Sequence, residues 1–286
     1  MKRINTFRKL IFFTTLAATI FMFQACNEDS NVVEAVSTEE ELDLVENGSE
    51  SEAVVDEDLQ IIDQSVEETA ASGGRVAGDS LCVTIIRDGV AKTITLDFGD
   101  GCIGPYGRER SGKIIITYGG TFDDEMANRV ITFEDYYVNN KNITGTILLR
   151  DINRNAEGNL TATRALEDYT IHYPDGNIFV MNGSTTREWL EGEGDGILSN
   201  NVFRITGAYE GVSTRGRGFT HTITVPIITD FSCRASGGFA RVSGVKEMVI
   251  NGIDRNRTRT VDYGDGTCDN EITVTINNKV YTITGS

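Results

Sequence analysis

From Leu81 onward apolar and polar residues alternate by two, the period that sends successive side chains to opposite faces of a strand. Leu81, Val83 and Ile85 share one face, and Ile94, Leu96 and Phe98 return after Asp88-Gly89. A two-residue turn there pairs Arg87 with Val90, hence Val83 with Ile94 and Leu81 with Leu96. The C-terminus repeats the logic. Ile272, Val274 and Ile276 precede Asn277-Asn278, and a turn at that pair sets Val274 against Tyr281 and Ile272 against Ile283. Between these hairpins the pattern predicts strands over 113–118, 130–138, 143–150, 160–173, 178–189, 202–210, 219–229, 239–250 and 257–263. Asn139-Asn140, Pro174-Asp175-Gly176, a glycine-rich loop at 191–196, Arg215-Gly216 and Asn251-Gly252 separate most of them, each a turn signal. Strands joined in chain order predict an all-β domain over 80–286, an antiparallel meander forming a sandwich or a strongly curved sheet.

The residues before that domain follow other patterns. Lys2, Arg3, Arg8 and Lys9 precede an apolar run of fourteen residues, 10–23, which ends in Gln24-Ala25-Cys26. A membrane-spanning helix needs about 20 apolar residues, so this run reads as a cleaved lipoprotein signal peptide over 1–25. Cys26 becomes the lipidation site, and its acyl chains give a partner in the membrane itself. Residues 26–79 then read as a lipidated acidic tether, with seventeen acidic residues and a single basic one, Arg75, over 27–79. Most of the formal net charge of −17 is concentrated there, and like charges keep such a segment extended and solvated. Two short helical signals interrupt it. Ser37-Thr38-Glu39-Glu40 offers a capping box and Asn47-Gly48 a stop, and Val55, Leu59, Ile62 and Val66 fall on one helical face. No basic stripe exists to neutralise phosphates, which argues against nucleic acid.

Besides Cys26 the chain holds Cys82, Cys102, Cys233 and Cys268. An even set in an exported chain predicts disulfides. Cys82 and Cys102 bracket the opening hairpin, and Cys233 and Cys268 bracket the Asn251-Gly252 hairpin, so these are the expected pairs. Two of the cysteines close a repeated phrase: Asp97-Phe98-Gly99-Asp100-Gly101-Cys102 is echoed by Asp262-Tyr263-Gly264-Asp265-Gly266-Thr267-Cys268. The phrase reads as a glycine turn or bulge. Its paired aspartates, with Asp269, also invite a calcium loop, but calcium takes six to eight oxygens and each motif offers few. No metal and no cofactor are expected.

These motifs, with Gly107-Arg108-Glu109-Arg110-Ser111-Gly112-Lys113-Ile114 and Tyr136-Tyr137-Val138-Asn139, resemble a family of uncharacterised β-rich envelope lipoproteins of the Bacteroidota, over 81–284. The resemblance implies an outer-membrane lipoprotein with a β-rich domain and brings no catalytic residues with it. Glu28 and Asp29 resemble the acidic surface-export signal of such lipoproteins, which implies display at the cell surface.

Candidate chemistry is sparse. His172 and His221 are the only histidines, and no GxSxG elbow accompanies them. Glu188, Glu191, Glu193 and Asp195 cluster around Trp189 and would suit a carboxylate-based glycan hydrolase, though a run so rich in glycine also reads as a solvated loop. Trp189, Tyr136 and Tyr137 are candidate glycan contacts, because aromatic faces stack on sugars; strand aromatics also serve as core or cross-strand pairs. Arg255, Arg257 and Arg259 alternate onto one face, suited to an anionic glycan or to guarding a sheet edge. The leading expectation is a non-catalytic envelope lipoprotein that binds or scaffolds a glycan or an envelope protein, with a glycan-directed hydrolase as the alternative.

Overall fold

The period-two segments form strands, and all of these strands join one sheet. The computed structural model describes residues 36–72, 76–78, 81–120, 126–251 and 259–284, without the side chains of 68–72 and 76–78. The strands are β1 (Val76–Gly78), β2 (Val83–Asp88), β3 (Thr93–Asp97), β4 (Cys102–Ile103), β5 (Glu109–Tyr118), β6 (Arg129–Val138), β7 (Lys141–Arg154), β8 (Leu160–His172), β9 (Ile178–Glu191), β10 (Val202–Val212), β11 (Gly218–Asp230), β12 (Arg241–Ile250), β13 (Arg259–Asp265), β14 (Glu271–Ile276) and β15 (Lys279–Thr284). Fourteen follow one another in chain order, all antiparallel, with β4 attached to the side of β5. The meander is as expected. The sandwich and the strong curvature are not: there is a single sheet, neither closed nor strongly curled, running from β1 to β15.

The C-terminal hairpin has the expected register, Val274 against Tyr281 and Ile272 against Ile283, and both Asn277 and Asn278 adopt positive φ, as a two-residue hairpin turn demands. The opening hairpin differs. Ile85 faces Leu96 and Arg87 faces Ile94, because Asp88 Oδ1 accepts hydrogen bonds from the backbone N–H groups of Val90 (2.8 Å) and Ala91 (2.9 Å) and lengthens the loop to 89–92. The slip is by an even number of residues, so every side chain keeps its expected face. Register shifts recur in neighbouring strand pairs, at Ser111/Lys113, Thr132/Tyr137, Thr144/Thr146 and Leu166/Tyr169. Such bulges bend strands and re-aim side chains. Gly112 shows why glycine is required there: its φ is +78° and a Cβ would collide with the carbonyl of Asp135.

The largest departure from expectation lies upstream. Thr38–Ser72 is not a solvated tether with two short helical pieces but one 35-residue helix, α1. It starts as expected, with Ser37 Oγ accepting from the backbone N–H of Glu40 at 3.1 Å, and then runs straight through Asn47-Gly48. Every residue from 54 to 63 is buried. Leu44, Val45, Val54, Val55, Leu59, Ile61 and Ile62 enter the same apolar cluster as Ile85, Ile114, Ile147, Phe179, Met248 and Val274, and burying each such side chain contributes about 1.5–3 kcal/mol. The face seen in the sequence at Val55, Leu59 and Ile62 is therefore half of the core, and the sheet supplies the other half. The segment read as the lipid anchor, with Cys26, Glu28 and Asp29, lies outside the described residues, as do Arg255 and Arg257.

Gly48 sits mid-helix with open room beside it: a Cβ there would lie 3.5 Å from His221 Cε1 and 3.6 Å from Phe179 Cζ, ordinary packing distances. Glycine in a helix interior costs about 1 kcal/mol relative to alanine. Gly48→Ala should therefore stabilise the protein by roughly 0.5–1 kcal/mol, read as a raised denaturant midpoint with an unchanged slope. A lowered midpoint would mean that α1 cannot accept even a methyl group at its contact with β9 and β11.

Candidate functional site

The densest chemistry in the molecule lies between α1 and the sheet. The helix carries thirteen acidic residues and no basic one, and its buried carboxylates each meet a cation from the sheet side. Glu41 accepts from Arg259 Nε at 2.8 Å. Glu52 pairs with Lys246 Nζ at 2.7 Å and with Arg241. Asp56 bridges Arg164 at 2.6 Å and Arg241 at 2.8 Å. Glu57 takes three guanidinium groups, Arg108 at 2.6 Å, Arg234 at 2.9 Å and Arg110 at 3.3 Å. Asp58 holds Arg110 at 3.1 Å and accepts from the Tyr136 hydroxyl at 2.8 Å. Asp63 spans Arg187 at 2.7 Å and Arg129 at 3.4 Å. At the better-exposed N-terminal end, Glu40 meets Arg217 and Glu50 meets Lys141.

Burial and pairing pull these groups in opposite directions. Burial pushes the carboxyls of Asp56 and Asp58 above the ordinary aspartate range, against Arg164 and Arg110 respectively. Burial also works to raise Glu52, but Lys246 and then His221 bring it below its ordinary value. His221 is fully buried, its Nδ1 2.9 Å from the Tyr209 hydroxyl. Desolvation first, and Lys246 second, push it down to about 4, so it is neutral at pH 7. The arrangement is an ionic interior in which every buried carboxylate of α1 faces at least one cation.

The aromatic candidates divide by face. Trp189 and Tyr136, expected as glycan contacts, are not available for one. Tyr136 is wholly buried, stacked on Phe133 and hydrogen bonded to Asp58. Trp189 packs with Phe203 and Phe231 in a small second cluster, where its Nε1–H donates to Glu191 O at 2.8 Å and Asn201 Oδ1 at 3.1 Å. Both side chains fall on the inward register of their strands. Tyr137, one position on, points out and is 41% exposed.

Three of the four carboxylates near Trp189, those of Glu188, Glu193 and Asp195, fasten loops. Glu188 accepts from Asn155, Asn159 and Arg204, and these bonds, Asn159 foremost, hold its carboxyl below the usual range. Glu193 takes Arg154, while Asp195 receives the Ile197 N–H and the Asn200 amide. The histidines lie apart, His221 inside and His172 against Thr144 on the other face. In the repeated phrase, Asp97 and Asp262 play the same part: each accepts the backbone N–H two residues on, at Gly99 and Gly264. Among the described residues no group of three or more His, Cys, Asp or Glu side chains is placed to hold a metal ion.

Both expected disulfides are present, Cys82–Cys102 with Cα atoms 6.1 Å apart and Cys233–Cys268 at 5.2 Å. The first ties the start of β2 to β4; the second ties the short helix α2 (Phe231–Ala235) to the loop after β13. Arg259, read as part of an outward arginine face, is inward and paired with Glu41.

Architecture and site together define an open antiparallel meander built over an acidic buried helix. The chain matches no family model, no curated protein and no solved structure.

Two measurements follow from the ion pairs. Glu57→Gln should destabilise the fold by about 3–5 kcal/mol, because it leaves buried guanidinium groups without their counter-charge. Lys113→Ala, which breaks only the exposed pair with Glu134, should leave the denaturation midpoint nearly unchanged. Equal effects in chemical denaturation would show that the interior pairs are not desolvated as described. The second concerns pH. His221 has a folded value near 4 against an ordinary 6.5, so the unfolded chain takes up the proton first and stability falls as pH drops from about 6.5 towards 4. The loss approaches roughly 3 kcal/mol at the bottom of that window. His221→Phe should flatten the stability profile between pH 6.5 and 4.5, and an unchanged slope in that variant would remove His221 as its source.

Proposed function

We propose that this chain is an envelope lipoprotein, held to the outer membrane through Cys26, whose sheet domain binds or scaffolds another envelope component and performs no chemistry of its own. The observation that carries the reading is the N-terminal pattern: a positive start, a fourteen-residue apolar run and the Ala25-Cys26 junction. The two disulfides support it, since they persist in oxidising compartments outside the cytosol. The side chains support the non-catalytic half. Of the carboxylates that invited a hydrolase, Glu188, Glu193 and Asp195 are engaged in loop bonds, and the buried carboxylates of α1 face cations. Of the three aromatic candidates, Tyr137 alone is left open to a glycan or a protein partner.

The fold revises the geometry of the anchor. With α1 inside the domain, only residues 27–37 separate Cys26 from the helix, a reach of at most about 40 Å even if fully extended. The domain would work close to the membrane surface and not at the end of a long spacer.

Cys26→Ser should abolish labelling by a fatty-acid analogue and move the protein from the membrane pellet to the soluble fraction, while the two disulfides still form. Continued labelling of that variant would end the lipoprotein reading.

A further inference from the structure

Glu57 is asked to neutralise more charge than it carries. Three guanidinium groups surround it, from Arg108, Arg110 and Arg234, and Asp58 offsets Arg110 alone among them. Two of the three, Arg108 and Arg234, also line a cavity of about 360 Å³ between the N-terminal half of α1, the segment after α2, and the ends of β14 and β15. Arg108 is 9% exposed. Its Nε is bonded to Glu57, and its Nη1 comes no closer than 3.9 Å to Glu50. Its terminal nitrogens donate to no acceptor among the described residues. Arg234 gives Nε to Glu57 and Nη2 to the Tyr106 carbonyl. Two planar donors, both fixed on Glu57, therefore line the cavity with unused N–H groups, which a carboxylate can fill with parallel bonds.

The lining also includes apolar side chains, those of Ala53, Phe239, Ala240, Ile272 and Ile283. Glu46 and Glu50 from α1 line it too. These two repel a dianion more strongly than a monoanion, which favours a carboxylate over a phosphate.

Both disulfides brace this site. Cys233 precedes Arg234 directly and is tied to Cys268. Cys102 pairs across the sheet with Arg110, and the Gly104 N–H donates to Arg108 O at 2.9 Å, so the Cys82–Cys102 link holds the segment bearing Arg108. Pre-set donors lose less entropy on binding.

We propose that this cavity binds a carboxylate carried on an apolar or ring-shaped body, with Arg108 and Arg234 as its two guanidinium partners. The site is defined by the fold alone and does not depend on where the chain is anchored.

The test is a titration of the ¹⁵N-labelled full chain with sodium benzoate at constant ionic strength, beside sodium phosphate and sodium chloride. Benzoate should shift the amide signals of Gly237, Gly238, Phe239 and Asn139, and phosphate and chloride should shift them less. Arg234→Gln, with its thermal transition checked first, should weaken benzoate binding by about tenfold or more, the usual worth of a charge-assisted bond. Unmoved signals in the wild type would overturn the proposal, as would an equal response to phosphate or undiminished binding by folded Arg234→Gln. If that variant does not fold, the wild-type comparison of benzoate with phosphate decides alone.

Discussion

A carboxylate removed from water costs several kcal/mol unless a cation reaches it, and α1 places six of them in the interior: Glu41, Glu52, Asp56, Glu57, Asp58 and Asp63. The rest of the molecule is arranged around that cost. Cations come from strands early, midway and late in the sheet, from Arg110 and Arg129 through Arg164 and Arg187 to Arg241, Lys246 and Arg259. Pairs of this kind add little net stability over apolar residues of equal size, but breaking one is expensive. Their effect is on position. An apolar helix of this length could turn or slide on an apolar sheet with modest loss. A rotation of α1 by one residue would separate Glu41 from Arg259 and Asp56 from Arg164 together.

That arrangement explains what the sequence disclosed and what it concealed. The strands and their order were legible because each has an apolar register, and a shift by an even number, as in the β2–β3 hairpin, does not disturb it. The disulfides were legible because antiparallel neighbours bring bracketing cysteines together. The helix was half legible: Val55, Leu59 and Ile62 showed its face, and Ser37 its start. Its burial was not legible locally, because thirteen acids with no basic residue among them read as a solvated segment and no partner lies at the spacings where isolated helices find them. The partners of the buried acids sit instead more than fifty residues away, most of them on strands. A signal existed. Arg110 shares its register with Ile114, Ile116 and Tyr118, with one glycine bulge between; Lys246 shares its register with Met248 and Ile250; Arg187 with Trp189; Arg259 with Val261 and Tyr263. A cation repeated on the apolar side of strand after strand asks for a buried anion, and one segment of the chain had carboxylates to offer.

Glycan-stacking aromatics were misplaced for the same reason. Tyr136 was a candidate for stacking on a sugar, with a core role as the alternative, and its hydroxyl is the polar handle that lets it serve inside, beside Asp58 and Arg110. In an apolar interior that hydroxyl would be a liability. In an ionic one it completes the bonding.

The order of the chain gives the ionic interior a kinetic meaning. The helix is the first element described, and some of the partners it needs arrive late: Glu41 waits 218 residues for Arg259, and Glu52 waits 194 for Lys246. Before those strands exist, α1 is a strongly anionic peptide whose helix is marginal alone. Contacts so distant in sequence slow folding, because loop closure must precede their reward. The polypeptide is thus kept from settling into its final form until nearly all of it has been made. That is a useful property for any protein that must be threaded, unfolded, through a membrane before it is finished.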